Sequence, residues 1–330
     1  MKIILPVAGK GTRLRPHTFT KAKSLVTVAG KTVLEHIMNN LLLIKDIEEF
    51  IFIVDDNGNQ IEDFIARKYP DVRCKYIVQK ERRGPAHAVW LAKDEIDNNE
   101  LLIVFNDTMF ITDLTKISEI SKGLDGLIFS KEVEDYKRFG VNIVKNGIIT
   151  DMIEKPDKPV SKLAQVGLYY LKNGSLLMEA IQETIDNSIL VKGEYYLPAA
   201  FKIMIKKGAK LGAPTIDEWL DCGTRETLLT TNRYLLEKFN NNFCSSCKNS
   251  IIVPPVYLDK GVEIENSVIG PYVSIGENAK INNAIISNSI INSGTYIDRV
   301  ILTKSLIGEN VYIEGKRNSL DIGDNSIVKL

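Results

Sequence analysis

Aliphatic residues recur at Ile269, Ile275, Ile281, Ile286, Ile291, Ile297, Leu302, Ile307 and Ile313, six apart with several slips to five. Neither an amphipathic helix nor an alternating strand has that period. Gly, Asn or Ser often follows the aliphatic position, and small or β-branched residues are frequent four on. A six-residue side that turns one aliphatic residue inward cannot bury it alone, so sides must wind into coils and coils must stack. The spacing therefore predicts a triangular parallel β-helix over residues 250–330, of the left-handed kind that departs from the usual right-handed crossover. It fixes a fold and says little about chemistry.

Upstream the pattern is different. Phe50 to Val54, Val72 to Val78 and Leu101 to Phe105 are dense in Ile, Val, Leu and Phe and read as buried strands. Between them, 32–43, 61–69 and 86–96 carry apolar residues at helical spacing. This alternation predicts an α/β domain over residues 1–240 with a mostly parallel, Rossmann-like sheet and helices on both faces. Ligands of such sheets bind beyond the carboxyl ends of the strands. A polar connector, Asn240 to Asn249, separates the two patterns.

In 330 residues, Lys plus Arg and Asp plus Glu are 42 each, so no global field favours nucleic acid or membrane. Any phosphate site must be local. The first residues are broken too soon by Pro6 and Gly9 for a secretory signal, and no run approaches the roughly 18 apolar residues of a membrane span. Four cysteines do not suggest a disulfide scaffold. A soluble cytoplasmic protein is expected. Cys244-Ser-Ser-Cys247 lacks the second ligand pair that a structural zinc site needs, and reads as two ordinary cysteines in a connector.

The richest chemical signal lies between Leu5 and Leu25. An apolar strand, Lys2 to Val7, runs into a loop with Gly9 and Gly11, then Arg13 and Lys23. Glycines let backbone N–H groups approach a phosphate, and the two cations add charge where a triphosphate would lie. Alone, GxG also fits a tight turn with solvated cations. A dinucleotide fingerprint would need a third Gly near Leu14, and a P-loop ending at Gly30-Lys31-Thr32 would need Gly at Leu25. Both are excluded.

GxGxR, Pro16 and a Lys ten residues after Arg13 together resemble the signature of sugar-1-phosphate nucleotidyltransferases, which join a nucleoside triphosphate to a sugar phosphate. Further segments follow in the family's order. In Gln79-Lys-Glu-Arg-Arg-Gly84 the resemblance implies that Gln79 and Gly84 read the base, with Ala8, Gly9 and Gly11 at the nucleotide. Leu101 to Asp107 delivers a carboxylate at a strand end, suited to Mg²⁺ on triphosphate oxygens, and Asp221 in Trp219-Leu-Asp-Cys-Gly-Thr224 matches a second metal-binding Asp. In Ile153-Glu-Lys-Pro156, Glu154 would bind sugar hydroxyls and Lys155 the sugar phosphate. Gly140, Val166, Tyr170 and Glu194 resemble sugar-pocket positions. Arg13, Lys23 and Lys155 are the expected catalytic cations.

In detail the chain is similar to glucose-1-phosphate thymidylyltransferases and N-acetylglucosamine-1-phosphate uridylyltransferases with hexapeptide tails. The implied substrates are UTP or dTTP with glucose 1-phosphate or N-acetylglucosamine 1-phosphate, and Mg²⁺ is the implied cofactor. β-Helix tails of this type often build homo-oligomers. The chain departs from the pattern at Ala22 and Ser24 for prolines, Asn106 for Gly, and Pro198-Ala199 for Thr-Asp. Ala22 is expected to loosen the loop before Lys23 by about 0.4–1 kcal/mol. Two other readings stand beside this one: a weakly catalytic nucleotide-sugar sensor or scaffold, motivated by the departures, and an acyltransferase in the β-helix. The last usually needs a His, and His17, His36 and His87 all lie far upstream of the repeats.

Overall fold

The computed structural model describes residues 1–56, 58–106, 108–238 and 246–315. The chain divides into two units, Met1–Val26 with Lys31–Thr227, and Thr27–Gly30 with the chain from Leu228 onward. Before the repeats the strands are β1 (Lys2–Pro6), β2 (Thr27–Val28), β3 (Lys31–Thr32), β4 (Glu49–Val54), β5 (Cys74–Val78), β6 (Leu101–Val104), β7 (Thr108–Ile111), β8 (Gly126–Glu132), β9 (Gly140–Lys145), β10 (Ile148–Glu154), β11 (Leu163–Leu171), β12 (Leu211–Gly212) and β13 (Glu218–Asp221). The α-helices are α1 (Val33–Leu41), α2 (Asn59–Lys68), α3 (Pro85–Trp90), α4 (Ile117–Ile120), α5 (Gly174–Asp186), α6 (Leu197–Lys206) and α7 (Arg225–Lys238). No helix among the described residues is long and apolar enough to cross a membrane.

The first unit is built on a sheet in the order β5-β4-β1-β6-β11-β8-β12-β10-β9. From β5 to β6 every pairing is parallel. β11 then runs antiparallel to both β6 and β8, and β10 antiparallel to β9. The sheet is therefore mixed, and the mostly parallel expectation holds only for its first half. Apolar periodicity carries no strand direction. A local signal did exist: β9 and β10 are joined at Asn146-Gly147, with φ of 51° and 78°, as a type I′ hairpin requires.

On one face of the sheet, Ile4, Ile51, Ile103 and Ile128 pack with Val89 of α3, Leu177 and Ile181 of α5, and Phe201 and Met204 of α6. The neighbouring strand residues Ile3, Leu5, Phe50, Phe52 and Leu102 are buried too. Near-continuous apolar strands thus reflect a sheet with little access to water on either side. α1 begins where the Thr32 hydroxyl accepts from the Glu35 N–H at 3.0 Å, an N-cap that satisfies one orphan donor.

The second unit contains the predicted left-handed β-helix, made of three parallel sheets. Ile264, Ile281, Ile297 and Ile313 stack in one register. The step from Ile264 to Ile281 takes 17 residues, and from Ile281 to Ile297 takes 16. All nine aliphatic positions of the repeat lie in or against the coil's core. The corners need left-handed backbone, and Asn249, Asn266, Asn283 and Arg299 supply it at one edge with φ between 47° and 56°. At another edge Gly261, Asn278, Gly294 and Asn310 alternate, all with positive φ. A Cβ on Gly261 would collide with the Asn278 amide oxygen, and one on Gly294 with that of Asn310.

One sheet sends Ile251, Val268, Ile285 and Ile301 outward in register. Ile251, Ile285 and Ile301 are 62%, 49% and 76% exposed. Elsewhere in this unit, Asn232 of α7 accepts from Ser274 Oγ at 2.7 Å and from the Ala29 N–H at 2.9 Å. Cys247 packs against the coil's core, whereas Cys244 lies outside the described residues.

Candidate active site

The chain leaves β1 at its carboxyl end, where Val7 N–H still donates to Ile53 O at 2.8 Å. Ala8 is buried, while Gly9 is exposed and has no atom within 4 Å of where a Cβ would stand. Bare backbone facing open space suits the close approach of an anion. Gly11 has φ of 59°, and a Cβ there would lie 3.0 Å from Lys23 Cβ. The stem of Lys23 thus packs over Gly11, and Thr18 Oγ1 closes the loop by donating to Gly11 O at 2.7 Å.

Arg13 reaches a cleft of about 690 Å³ whose wall also holds Gly140, Glu154, Lys155, Gln165, Val166 and Asp221. A Cβ on Gly223 would lie 2.9 Å from Asp221 Oδ1 and 3.0 Å from Arg13 Nη2. The bare glycine lets guanidinium and carboxylate stand side by side. Gly223 N–H donates to Asp221 Oδ1 at 2.7 Å, which orients the carboxylate at the end of β13. β13 pairs with β7 so that Asp221 faces Thr108 across the ladder. Asp107 lies outside the described residues.

Glu154 and Lys155 are consecutive, and extended neighbours normally point to opposite faces. Both line the cleft because Lys155 leaves the extended region, with φ of 49°. Gly140 pairs with Glu154 across β9 and β10, and a Cβ on it would stand 2.7 Å from Glu154 Oε2. Only glycine leaves room for that carboxylate. Lys155 Nζ lies 3.4 Å from Glu154 Oε1 and donates to the Tyr196 hydroxyl at 2.9 Å. The same hydroxyl is hydrogen-bonded to Glu194. Glu194 is exposed and does not line the cleft, so it touches the site only through Tyr196.

Electrostatics follow from that burial. The Glu154 side chain is 10% exposed, and burial pushes its pKa up more than Lys155 pulls it down. Burial works against the Lys155 ammonium, but the bonds to Tyr196 and Glu154 outweigh it, so its pKa is raised. Lys155 is therefore held as a cation facing the cleft.

The register of β11 against β8 shifts between Gln165 and Tyr169, where Gly167 has φ of 77°. Phe105 N–H donates to Gly167 O at 2.8 Å across this bulge. Bulges re-aim side chains, and here Val166, Gly167 and Tyr169 face the cleft. Tyr170 does not. Beyond the bulge, alternation sends it to the other face, where its ring is buried and its hydroxyl donates to Glu100. Of this tyrosine pair it is Tyr169, and not the expected Tyr170, that lines the cleft.

Gln79 is buried, and its N–H donates to Val54 O at 2.7 Å. Gly84 has φ of 110°, and a Cβ there would meet Tyr195 O at 2.5 Å and Tyr195 N at 2.7 Å. The crossing of the Tyr195 backbone alone requires this glycine. Neither residue lines the cleft described above. Sequence reasoning also missed an aromatic wall of Phe105, Phe139, Tyr169, Tyr196 and Trp219. Phe139 and Trp219 ring centroids are 4.7 Å apart, and Trp219 Nε1 is buried without a hydrogen-bond partner. Trp219 opens a motif segment and Tyr196 lies two residues after Glu194, but a motif string does not say which way a ring points.

Residues 1–238 match the family described as nucleotidyl transferase, and residues 243–297 match the GlmU-like C-terminal hexapeptide family. The chain is 27% identical to the low-salt glycan biosynthesis nucleotidyltransferase Agl11 of Haloferax volcanii, over 100% of both chains. It is 29% identical to a glucose-1-phosphate thymidylyltransferase of Streptomyces antibioticus, covering 100% of this chain and 99% of that one. A solved Bacillus anthracis protein assigned as a glucose-1-phosphate thymidylyltransferase, in complex with sucrose, has a TM-score of 0.63 and 26% identity. That match covers 74% of this chain and 98% of the other.

Proposed function

The chain belongs to the nucleotidyl transferase family, and on that premise we propose that it joins a nucleoside triphosphate to a sugar 1-phosphate and releases pyrophosphate. One observation carries the reading: Arg13, Glu154, Lys155 and Asp221 converge on a single cleft with an aromatic wall. Aromatic faces suit the apolar side of a sugar ring, Glu154 suits its hydroxyls, and the Lys155 ammonium suits its phosphate. Attack is in line, by a sugar-phosphate oxygen on the α-phosphorus, with the bond to the β-phosphate breaking. That oxygen is already ionised at neutral pH, so no general base is needed. Arg13 holds the leaving phosphates and Lys23 the phosphates nearer the reacting centre. Catalysis is then positioning and charge stabilisation.

The donor set at the cleft fits a hard cation. Among the described residues no cluster of three or more His, Cys, Asp or Glu side chains could hold a metal ion, and Mg²⁺ needs only one or two carboxylates beside phosphate and water. Asp221 is one such carboxylate. The register that sets Thr108 across from Asp221 supports Asp107, the preceding residue, as the second. Mg²⁺ held there would neutralise α-phosphate charge and orient both reactants.

Gln79 and Gly84 make a pyrimidine triphosphate, UTP or dTTP, the leading nucleotide, with glucose 1-phosphate or N-acetylglucosamine 1-phosphate as partner. Use of a nucleoside triphosphate fits a cytoplasmic location. A second copy of this chain is the proposed partner. The outward ladder of Ile251, Val268, Ile285 and Ile301 supports it, because an uncharged, in-register stripe gains by leaving water.

The test is pyrophosphate release with Mg²⁺ across UTP, dTTP, GTP, CTP and ATP, each with several sugar 1-phosphates. A positive combination names base and sugar together. A folded protein that binds a nucleotide sugar and releases no pyrophosphate would overturn the enzymatic reading in favour of a sensor or scaffold.

A further inference from the structure

The loop between Gly11 and Lys23 must hold a cation in place with almost no regular structure of its own. Beyond the Thr18–Gly11 closure, a side chain of α2 fastens its second half from outside. Gln60, in the first turn of α2, accepts the Ala22 N–H at its Oε1 at 2.9 Å and donates from Nε2 to Thr20 O at 2.9 Å. Thr20 and Lys21 lie in a bend of the chain, outside any strand. The Gln60 amide supplies there the pairing that no backbone neighbour gives, one donor to one acceptor and one acceptor to one donor.

Lys23 follows Ala22 directly and opens a short turn in which Val26 N–H donates to Lys23 O at 3.2 Å. Fixing Ala22 therefore fixes the start of that turn. Ala22 has φ of −59° and ψ of 140°, values a proline could adopt, but a proline has no N–H to give. Pairing to Gln60 and ring closure at position 22 are two mutually exclusive ways of stiffening the same peptide. The loosening expected from Ala22 is thus offset by a hydrogen bond that only a non-proline residue can make.

We propose that Gln60 is a positioning residue for Lys23, an external clamp doing the work that a rigid residue 22 would otherwise do. The inference rests on the proposed role of Lys23 at the triphosphate. Gln60 itself touches no substrate.

The experiment is a double-mutant cycle of Gln60→Ala and Ala22→Pro, read by steady-state kinetics and by amide hydrogen exchange over residues 18–25. Each single variant loses two, or one, hydrogen bonds to the loop, and the proline ring also crowds the intact Gln60 amide. Each is expected to lower kcat/KM for the nucleoside triphosphate about tenfold, with the KM for the sugar phosphate unmoved. Exchange over 18–25 should quicken in Gln60→Ala. The double variant, with room for the ring and only the exposed Thr20 carbonyl left to water, should return to within about threefold of wild type. Multiplying losses in the double variant, or unchanged exchange in Gln60→Ala, would overturn the clamp. Lys23→Met separates the two ideas. If that variant is fully active, the role of Lys23 fails, while exchange in Gln60→Ala still reports whether Gln60 holds the loop.

Discussion

Lys155 Nζ donates to the Tyr196 hydroxyl at 2.9 Å and sits 4.5 Å from the centroid of the same ring. Tyr196 thus holds the ammonium at its hydroxyl edge, through oxygen. Tyr196→Phe removes that bond and leaves the ring in place. A hydrogen bond to a charged group is worth about 1.5–3 kcal/mol, so the KM for the sugar phosphate should rise about tenfold or more while that for the nucleotide stays put. Lys155→Met should be worse by a further large factor in the same assay. Equal effects on both substrates would detach Lys155 from the sugar phosphate.

Gly140→Ala should be more damaging than its size suggests. The added methyl would stand 2.7 Å from Glu154 Oε2, so the carboxylate must move. The carboxylate ends a flexible side chain and can swing into the cleft, so the cost falls on its position more than on the fold. Thermal unfolding should change little, while kcat/KM for the sugar phosphate should fall about tenfold or more.

Glu154 trades stability for readiness. Its folded pKa lies above the ordinary value of 4.5, so the unfolded chain loses its proton first as pH rises, and stability falls across that interval. Glu154→Gln should therefore raise Tm at pH 7 to 8 and bring no gain near pH 4, where both states are protonated. Activity has the opposite trend. It should decline on acidification at a pH above the usual carboxylate range, as Glu154 gains its proton. A wild-type Tm no lower than that of the Gln variant at neutral pH would argue against a burial-dominated carboxyl.

Asp221→Asn preserves an oxygen that can accept from Gly223 N–H, so the strand end should keep its shape. The lost charge should raise the Mg²⁺ concentration for half-maximal rate by at least about tenfold and lower kcat by about two orders of magnitude. Asp107→Asn should act in the same direction, and chelation of Mg²⁺ should abolish turnover of the wild type. Near-normal turnover in both variants would dismiss the carboxylate pair.

Ile301→Asp places a charge in the exposed ladder of the β-helix. Sedimentation or size-exclusion measurements should show a smaller assembly than wild type, with the coil's circular dichroism unchanged. A wild type that is monomeric at all concentrations would remove the ladder as an interface.

The repeat was legible because its nine aliphatic positions are set by one geometric requirement, burial inside a coil. The glycines after β1 were legible because parallel strands deliver ligand-binding groups at their carboxyl ends, whereas Glu154 and Asp221 end antiparallel strands and were legible only from the motif segments around them. Ring directions were not, since Tyr169 and Tyr170 differ only in which side of a bulge-shifted strand they take. Nor was Gln60, one of several polar residues in α2, whose role depends on a loop 38 positions away. Gly84 was legible as special, and the structure adds a steric reason for glycine that the motif did not carry, the Tyr195 backbone at 2.5 Å from its missing Cβ.

The alternation of Gly261, Asn278, Gly294 and Asn310 sets the rules by which the tail can change length. Each glycine is seated against the amide of the asparagine one coil on, so an inserted residue must be absorbed within its own coil, beside the glycine–asparagine contact it would disturb. Gain or loss of a complete turn, about 16 or 17 residues, leaves the stack in phase. The tail can grow or shrink during evolution in whole turns far more readily than in single residues.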